Sequence, residues 1–164
     1  MVMRHLRHLV SLPGAVARAF PGDALPSIER AVKESEQHHG GQIRVAVEAA
    51  LHPSHLWRGT SARHRAIEVF SELGVWDTEH NNGVLLYLLL AERDVEIVAD
   101  RGFNAKVPRE EWERVCREME KALAAGRHAD AVIAGIESVA RIVARHFPPQ
   151  PGGRNELPDK PAVL

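Results

Sequence analysis

The sequence predicts an α/β fold, a three-layer α/β/α sandwich around a small mixed β-sheet. Three observations predict it. Helical and strand periods alternate along the chain, one strand-length run is apolar on both faces, and a short polar turn follows that run directly. With 164 residues, 45% of them hydrophobic, the chain is long enough for one domain with a sizeable core and too apolar for a disordered polymer. Its 21 basic and 22 acidic side chains nearly cancel, which gives no argument for a nucleic-acid partner. Cys116 is the single cysteine, so an intramolecular disulfide and a Cys-based zinc site are excluded.

Residues 1–21 form a basic lead-in, with Arg4 and Arg7 ahead of Leu9-Val10-Ser11-Leu12 and then small residues. A secretion signal needs an unbroken apolar centre, and Pro13-Gly14 interrupts this one, so the segment is expected to pack on the domain or to touch a membrane surface peripherally. The longest apolar run, Val84 to Ala91, is far short of the roughly 20 residues of a spanning helix. A cytoplasmic location is expected, with export as the alternative.

The domain proper is expected over 22–147. Asp23 and Pro26 open a helix with Leu25, Ile28 and Val32 inward, stopped by Gly40-Gly41. Gln42 to Glu48 alternates Ile43, Val45 and Val47 against Arg44, Ala46 and Glu48, a half-buried strand. A loop through His52 to Trp57 leads to a helix starting near Thr60-Ser61, burying Ala62, Ala66, Ile67, Phe70 and Leu73 and closed by Gly74. Val84 to Ala91 reads as a central strand covered on both faces. After Glu92-Arg93-Asp94, Val95 to Asp100 alternates again, which argues a hairpin. Pro108 suits a first helical residue, ahead of Trp112, Val115, Cys116, Met119 and Leu123; a last helix buries Val132, Ile136, Val139, Ala140, Val143 and Phe147. The tail, 148–164, holds five of the ten prolines and Gly152-Gly153, and is expected to be disordered.

The first two strands should be parallel, joined by a right-handed crossover, and the second and third antiparallel. A turn centred on Arg93 sets Asp100 opposite Leu86. That topology brings Glu36 with His38-His39, the stretch Asp77 to Asn82, and Asp100-Arg101 to one rim. Carboxylate and amide oxygens beside glycine suit a hard divalent cation, calcium before magnesium. Equally, Asp77 and Asn81 can be turn formers, Asn82-Gly83 a tight turn, and Asp100-Arg101 a local ion pair.

Val75-Trp76-Asp77-Thr78-Glu79-His80-Asn81-Asn82-Gly83-Val84-Leu85-Leu86-Tyr87, followed by Val95 to Gly102 with its Asp100-Arg101-Gly102 element, resembles the signature of the TPM domain family. That family includes thylakoid-lumen proteins linked to photosystem II repair and bacterial envelope proteins. The resemblance runs from the Gln42 strand to Phe147. It implies an α/β/α sandwich, divalent-cation binding at an acidic rim, and a phosphatase activity. Carried over residue by residue, it assigns the metal to Asp77, Asn81, Asn82 and Asp100, with Glu36 as a further ligand, and Asp77 or Asp100 as catalytic candidates. Typical members add a secretion signal, and many add a membrane helix; neither is read here, which points to a short soluble branch.

Of the other features, His52-x-x-His55 with His64 has zinc-ligand spacing, against which stands the reading of solvated loop histidines. His38-His39 at a helix C-terminus suits capping by imidazolium, and Cys116 on an apolar face suits the core. The expected function is cation binding at the rim with weak metal-dependent phosphomonoester hydrolysis. The alternative is a non-catalytic module for a protein partner in envelope or membrane-protein maintenance, docking through the rim or Trp57.

Overall fold

The computed structural model describes His8 and residues 14–164. The chain runs α1 (Ala15–Ala19), α2 (Ala24–Ser35), a 3-10 turn (Glu36–His38), β1 (Gln42–Glu48), α3 (Pro53–Trp57), α4 (Ala62–Glu72), β2 (Gly83–Leu89), β3 (Asp94–Ala99), a 3-10 turn (Arg101–Phe103), α5 (Arg109–Ala124), α6 (His128–His146) and β4 (Ala162–Val163). The sheet order is β3-β2-β1-β4. β1 and β2 are parallel and β2 and β3 antiparallel, as expected.

Side chains alternate across a strand, so the two faces of the sheet carry two cores. Ile43, Val45 and Val47 of β1 and Val84, Leu86 and Leu88 of β2 pack beneath Ile28 and Val32 of α2, Val115 and Met119 of α5, and Val132, Ile136 and Val139 of α6. On the other face Ala46, Leu85, Tyr87 and Leu89 meet Ala62, Ala66, Val69 and Phe70 of α4. This is the α/β/α sandwich. β2 is apolar throughout because both its sides are covered, each fully buried side chain contributing about 1.5–3 kcal/mol.

Four expectations change in detail. Ile67 is 47% exposed, because α4 turns Ala62, Ala66, Val69 and Phe70 inward and Ile67 lies off that stripe. The hairpin register differs by three residues: Val84 pairs with Ala99, and the Asp100 amide donates to the Gly83 carbonyl. The physical reason is the turn, which spans Leu90 to Arg93 with Arg93 at φ 54°, so that Asp94 already pairs with Leu89. Residues 53–57 are not a loop but a short helix, started by Pro53 and capped by the His52 ring, which accepts from the Ser54 amide. The lead-in boundary at residue 21 also shifts, since Phe20 is buried in the main core with Val16 and Ala19 against it. His8 is buried too, accepting from the Leu51 amide at 3.0 Å and reaching Glu92 at 2.7 Å. The charge and apolar readings of residues 1–7 and 9–13 lie outside the described residues. Among the described residues no helix is long and apolar enough to cross a membrane.

The largest correction concerns the tail, which is bound rather than disordered. Ala162 and Val163 pair with Ala46 and Val47 as a parallel edge strand, and Leu157 is buried against the α4 face. Polar side chains of β1 hold it. Gln42 Oε1 accepts from the amides of Glu156 (2.7 Å) and Leu157 (3.0 Å), while its Nε2 donates to the Arg154 carbonyl. The Arg44 guanidinium donates to the carbonyls of Pro158 and Lys160. Proline richness argued against regular structure, but these carbonyls need no proline N–H, and a proline-rich strand is tolerated at a sheet edge.

Candidate functional site

The rim is assembled from two short segments. α4 ends at Gly74, in the left-handed region at φ 65°, and the chain turns through Asp77 to Asn82 before entering β2. Thr78 folds this turn on itself: its hydroxyl accepts from the Asn82 amide at 3.1 Å and its carbonyl from the Asn81 amide. Asn81 sits at φ 52°, a conformation asparagine tolerates better than most residues. Gly83 has a different role from the expected tight turn. A Cβ there would run into the Val75 carbonyl oxygen, so glycine is needed for close backbone approach.

Asp100 leaves β3 and caps the following 3-10 turn, its Oδ1 accepting from the Arg101 amide at 2.7 Å. The Gly102 amide donates to the Asn81 carbonyl at 2.9 Å, and Arg101 Nε donates to Asn81 Oδ1 at 2.8 Å. Two of the three segments expected to converge, Asp77 to Asn82 and Asp100-Arg101, are therefore joined directly.

The expected ligands are not equivalent. Asp100 Oδ2 and Asn82 Oδ1 are buried and have no hydrogen-bond partner among the described residues, although Asn82 Nδ2 donates to the Gly40 carbonyl. A buried carboxylate or amide oxygen without a donor is costly, so each of these atoms is an acceptor left unsatisfied by the protein. Asp77 is exposed on the same turn, and Asn81 Oδ1 is engaged by Arg101. Glu36 belongs to another opening: its Oε1 accepts from the Ile43 amide at 2.9 Å and it lines a cleft between the α2 end and the tail. Burial pushes its carboxyl up to about 7, against the pull of the Ile43 N–H. Among the described residues no group of three or more His, Cys, Asp or Glu is arranged to hold a metal. Asp100 Oδ2 and Asn82 Oδ1 are hard oxygen donors, of the kind calcium takes and a histidine-seeking ion does not.

The histidines resolve differently from the zinc reading. His52 caps α3, while His55 and His64 face opposite oxygens of Glu68 at 3.6 and 3.7 Å, with Arg65 as a further partner of that carboxylate. His38 is exposed, but His39 is no helix-capping imidazolium. It is 3% exposed, neither ring nitrogen has a hydrogen-bond partner, and burial pulls its pKa down to about 4 despite the neighbouring Gly41 peptide. Cys116 is partly buried against the main core, its thiol pushed up to about 12 by burial, which leaves it unreactive.

Sequence reasoning did not single out a buried polar network at the opposite, carboxyl ends of β1 and β2. Glu48 Oε2 accepts from the Tyr87 hydroxyl at 2.5 Å and from Arg65 Nε at 3.0 Å, and Arg65 also pairs with Glu72. The signal was available in Glu48 at a β1 position whose neighbours on the same face pack under α4.

The TPM domain family profile matches residues 17–142. Among solved structures, the chain is similar to the BA42 protein of the psychrophilic bacterium Bizionia argentinensis, at 25% identity and TM-score 0.76, over 87% of this chain and 93% of that one. The N-terminal domain of a protein from P. gingivalis shares the fold at 17% identity and TM-score 0.60, over 78% of this chain and 79% of that one. No functionally curated protein matches the sequence.

Proposed function

The chain belongs to the TPM domain family, and on that premise we propose that its rim binds a hard divalent cation, calcium before magnesium. The observation that carries the reading is the pair of buried, donor-less oxygens, Asp100 Oδ2 and Asn82 Oδ1, on segments tied together by the Gly102–Asn81 hydrogen bond. Asp77, exposed on the turn that carries Asn82, offers a second carboxylate on that segment. A cation there satisfies both orphaned oxygens. Catalysis is the finer part of the proposal. A bound cation supplies charge neutralisation for phosphate oxygens, and Asp77 or Asp100 offers a base, but the nearby cation Arg101 is held by Asn81. Slow hydrolysis of an activated aryl phosphate is therefore the most this rim supports.

The test is thermal unfolding of the full chain over a calcium titration. Mass action predicts a stabilisation of about 2.7 kcal/mol at a hundredfold excess over Kd, and Asp100→Asn should remove most of it. Unchanged melting at millimolar calcium rejects the site, and aryl-phosphate turnover retained in Asp100→Asn assigns the activity elsewhere. A second reading, a protein-interaction module, is favoured by Trp57, which stands 87% exposed at the end of α3. Calcium-independent partner binding lost in Trp57→Ala would give that reading the lead.

A further inference from the structure

Between the C-terminal end of α2, the rim turn and the bound tail lies a cleft of about 980 Å3, a volume suited to a small organic ligand. Its walls carry four carboxylates, Glu36, Glu79, Glu156 and Asp159, against the cations Lys33 and Arg154. At its wall sits His39, 97% withdrawn from solvent and with both ring nitrogens unpartnered. Two of the acids already serve the fold, since Glu156 accepts from the Glu79 amide and Asp159 from the Asn155 side chain. Glu36 keeps one oxygen on the Ile43 amide, and among the described residues no donor is hydrogen-bonded to the other.

We propose that this cleft binds an organic ammonium group, as carried by a small di- or polyamine, with His39 and Glu36 receiving one charged nitrogen and the acids at the cleft mouth receiving the rest. The chemistry follows from the residues. An ammonium is a donor-only group with three N–H bonds, and it needs acceptors. A neutral imidazole supplies a lone pair, and His39 is kept neutral by its burial. Burial inclines the Glu36 carboxyl to keep its proton, and an adjacent ammonium draws it to the anion, since an opposite charge favours the charged form. The excess of acids over bases in the cleft rejects an anionic ligand. The site is separate from the rim oxygens Asp100 and Asn82 and does not depend on a cation there.

The experiment is calorimetric titration of the full chain with spermidine at fixed ionic strength, alongside a trilysine peptide, with the His39 ring nitrogens followed by NMR. Spermidine should saturate one site, move the His39 ring resonances, and lose about tenfold in affinity in Glu36→Gln and in His39→Leu, the size expected for one charge-assisted hydrogen bond. Tighter binding of the peptide would identify the source of the ammonium as a lysine side chain; tighter binding of spermidine, as a free amine. Asp100→Asn should leave the affinity unchanged. If His39→Leu fails to fold, the wild-type His39 resonances decide alone. Binding that leaves them in place, or that is equal in wild type and Glu36→Gln, is diffuse attraction to an acidic surface and overturns the proposal.

Discussion

The Tyr87 hydroxyl donates to Glu48 Oε2 at 2.5 Å, across adjacent parallel strands and beneath α4, while Arg65 approaches the same oxygen from the helix. Tyr87 is fully buried, so its hydroxyl has no access to water as a substitute acceptor. Tyr87→Phe should therefore cost about 1.5–3 kcal/mol, the net value of a hydrogen bond to a charged group. Glu48→Ala should cost more, about 3 kcal/mol, because it strands both the buried hydroxyl and one arm of Arg65. Urea denaturation of the two single variants and the double should show strong non-additivity.

The bound tail gives a second expectation. Leu157→Ala should destabilise by about 2–4 kcal/mol, as for a buried leucine elsewhere, whereas a disordered tail would tolerate it. Gln42→Ala removes the acceptor for two amides, and hydrogen exchange should accelerate at Glu156 and Leu157 first, then at Leu164, whose amide donates to the Val47 carbonyl.

The pH dependence carries opposite signs from two neighbours. Glu36 has a folded pKa raised to about 7, so its contribution is full below its ordinary value near 4.5 and is lost as pH rises through 7. His39 has a folded pKa lowered to about 4, so its contribution is full above its ordinary 6.5 and is lost as pH falls through 4. Between pH 4.5 and 6.5 the two slopes oppose each other. Glu36→Gln should expose a stability that rises with pH over that window, and His39→Gln one that falls, each on the order of 1–2 kcal/mol after solvent screening. Denaturant midpoints against pH read this directly; parallel curves for both variants would contradict it.

At the rim, Asn82→Asp places a second carboxylate where one amide oxygen now lacks a donor. In chelator it should lower stability by about 1–3 kcal/mol, since the Gly40 carbonyl also loses its donor. Calcium should restore most of that loss and bind more tightly than in wild type, as added ligand charge favours it.

Gly83→Ala tests the backbone approach beneath the rim. The added methyl meets the Val75 carbonyl, a rigid neighbour, so a cost of about 2–3 kcal/mol is expected with displacement of the Asp77–Asn82 turn. NMR shifts at Asn81 and Gly102 would report it.

Much of this architecture was legible because it depends on period and burial. The unbroken apolar run of β2 announced a two-sided strand, and that is found. The alternation of Ile43, Val45 and Val47 announced a half-buried β1, but β1 is buried on both faces, because the tail covers Gln42 and Arg44 and α4 covers Ala46 and Glu48. The meeting of Asp100 with the Asn81-Asn82 turn was legible from topology alone. Its register was not, because three residues of error in a turn are invisible to periodicity until Arg93 is known to take a positive φ. The tail escaped for a related reason. Its bonds to Gln42 and Arg44 are made by its backbone carbonyls and amides, and a backbone group has no sequence signature. His39 escaped because a histidine after a helix reads as a cap, and only tertiary burial makes it neutral and unpartnered.

The edge strand β4 also sets an order of events during synthesis. Arg44 and Pro158 meet across 114 residues, so β1 emerges and folds against β2 long before its last neighbour exists. Until residue 163 leaves the ribosome, one flank of β1 presents unpaired N–H and C=O groups together with an unmatched guanidinium, a template open to other nascent chains. The tail thus shields that flank by occupying it, so the sheet is closed on the β1 side by a segment the chain delivers last among its strands.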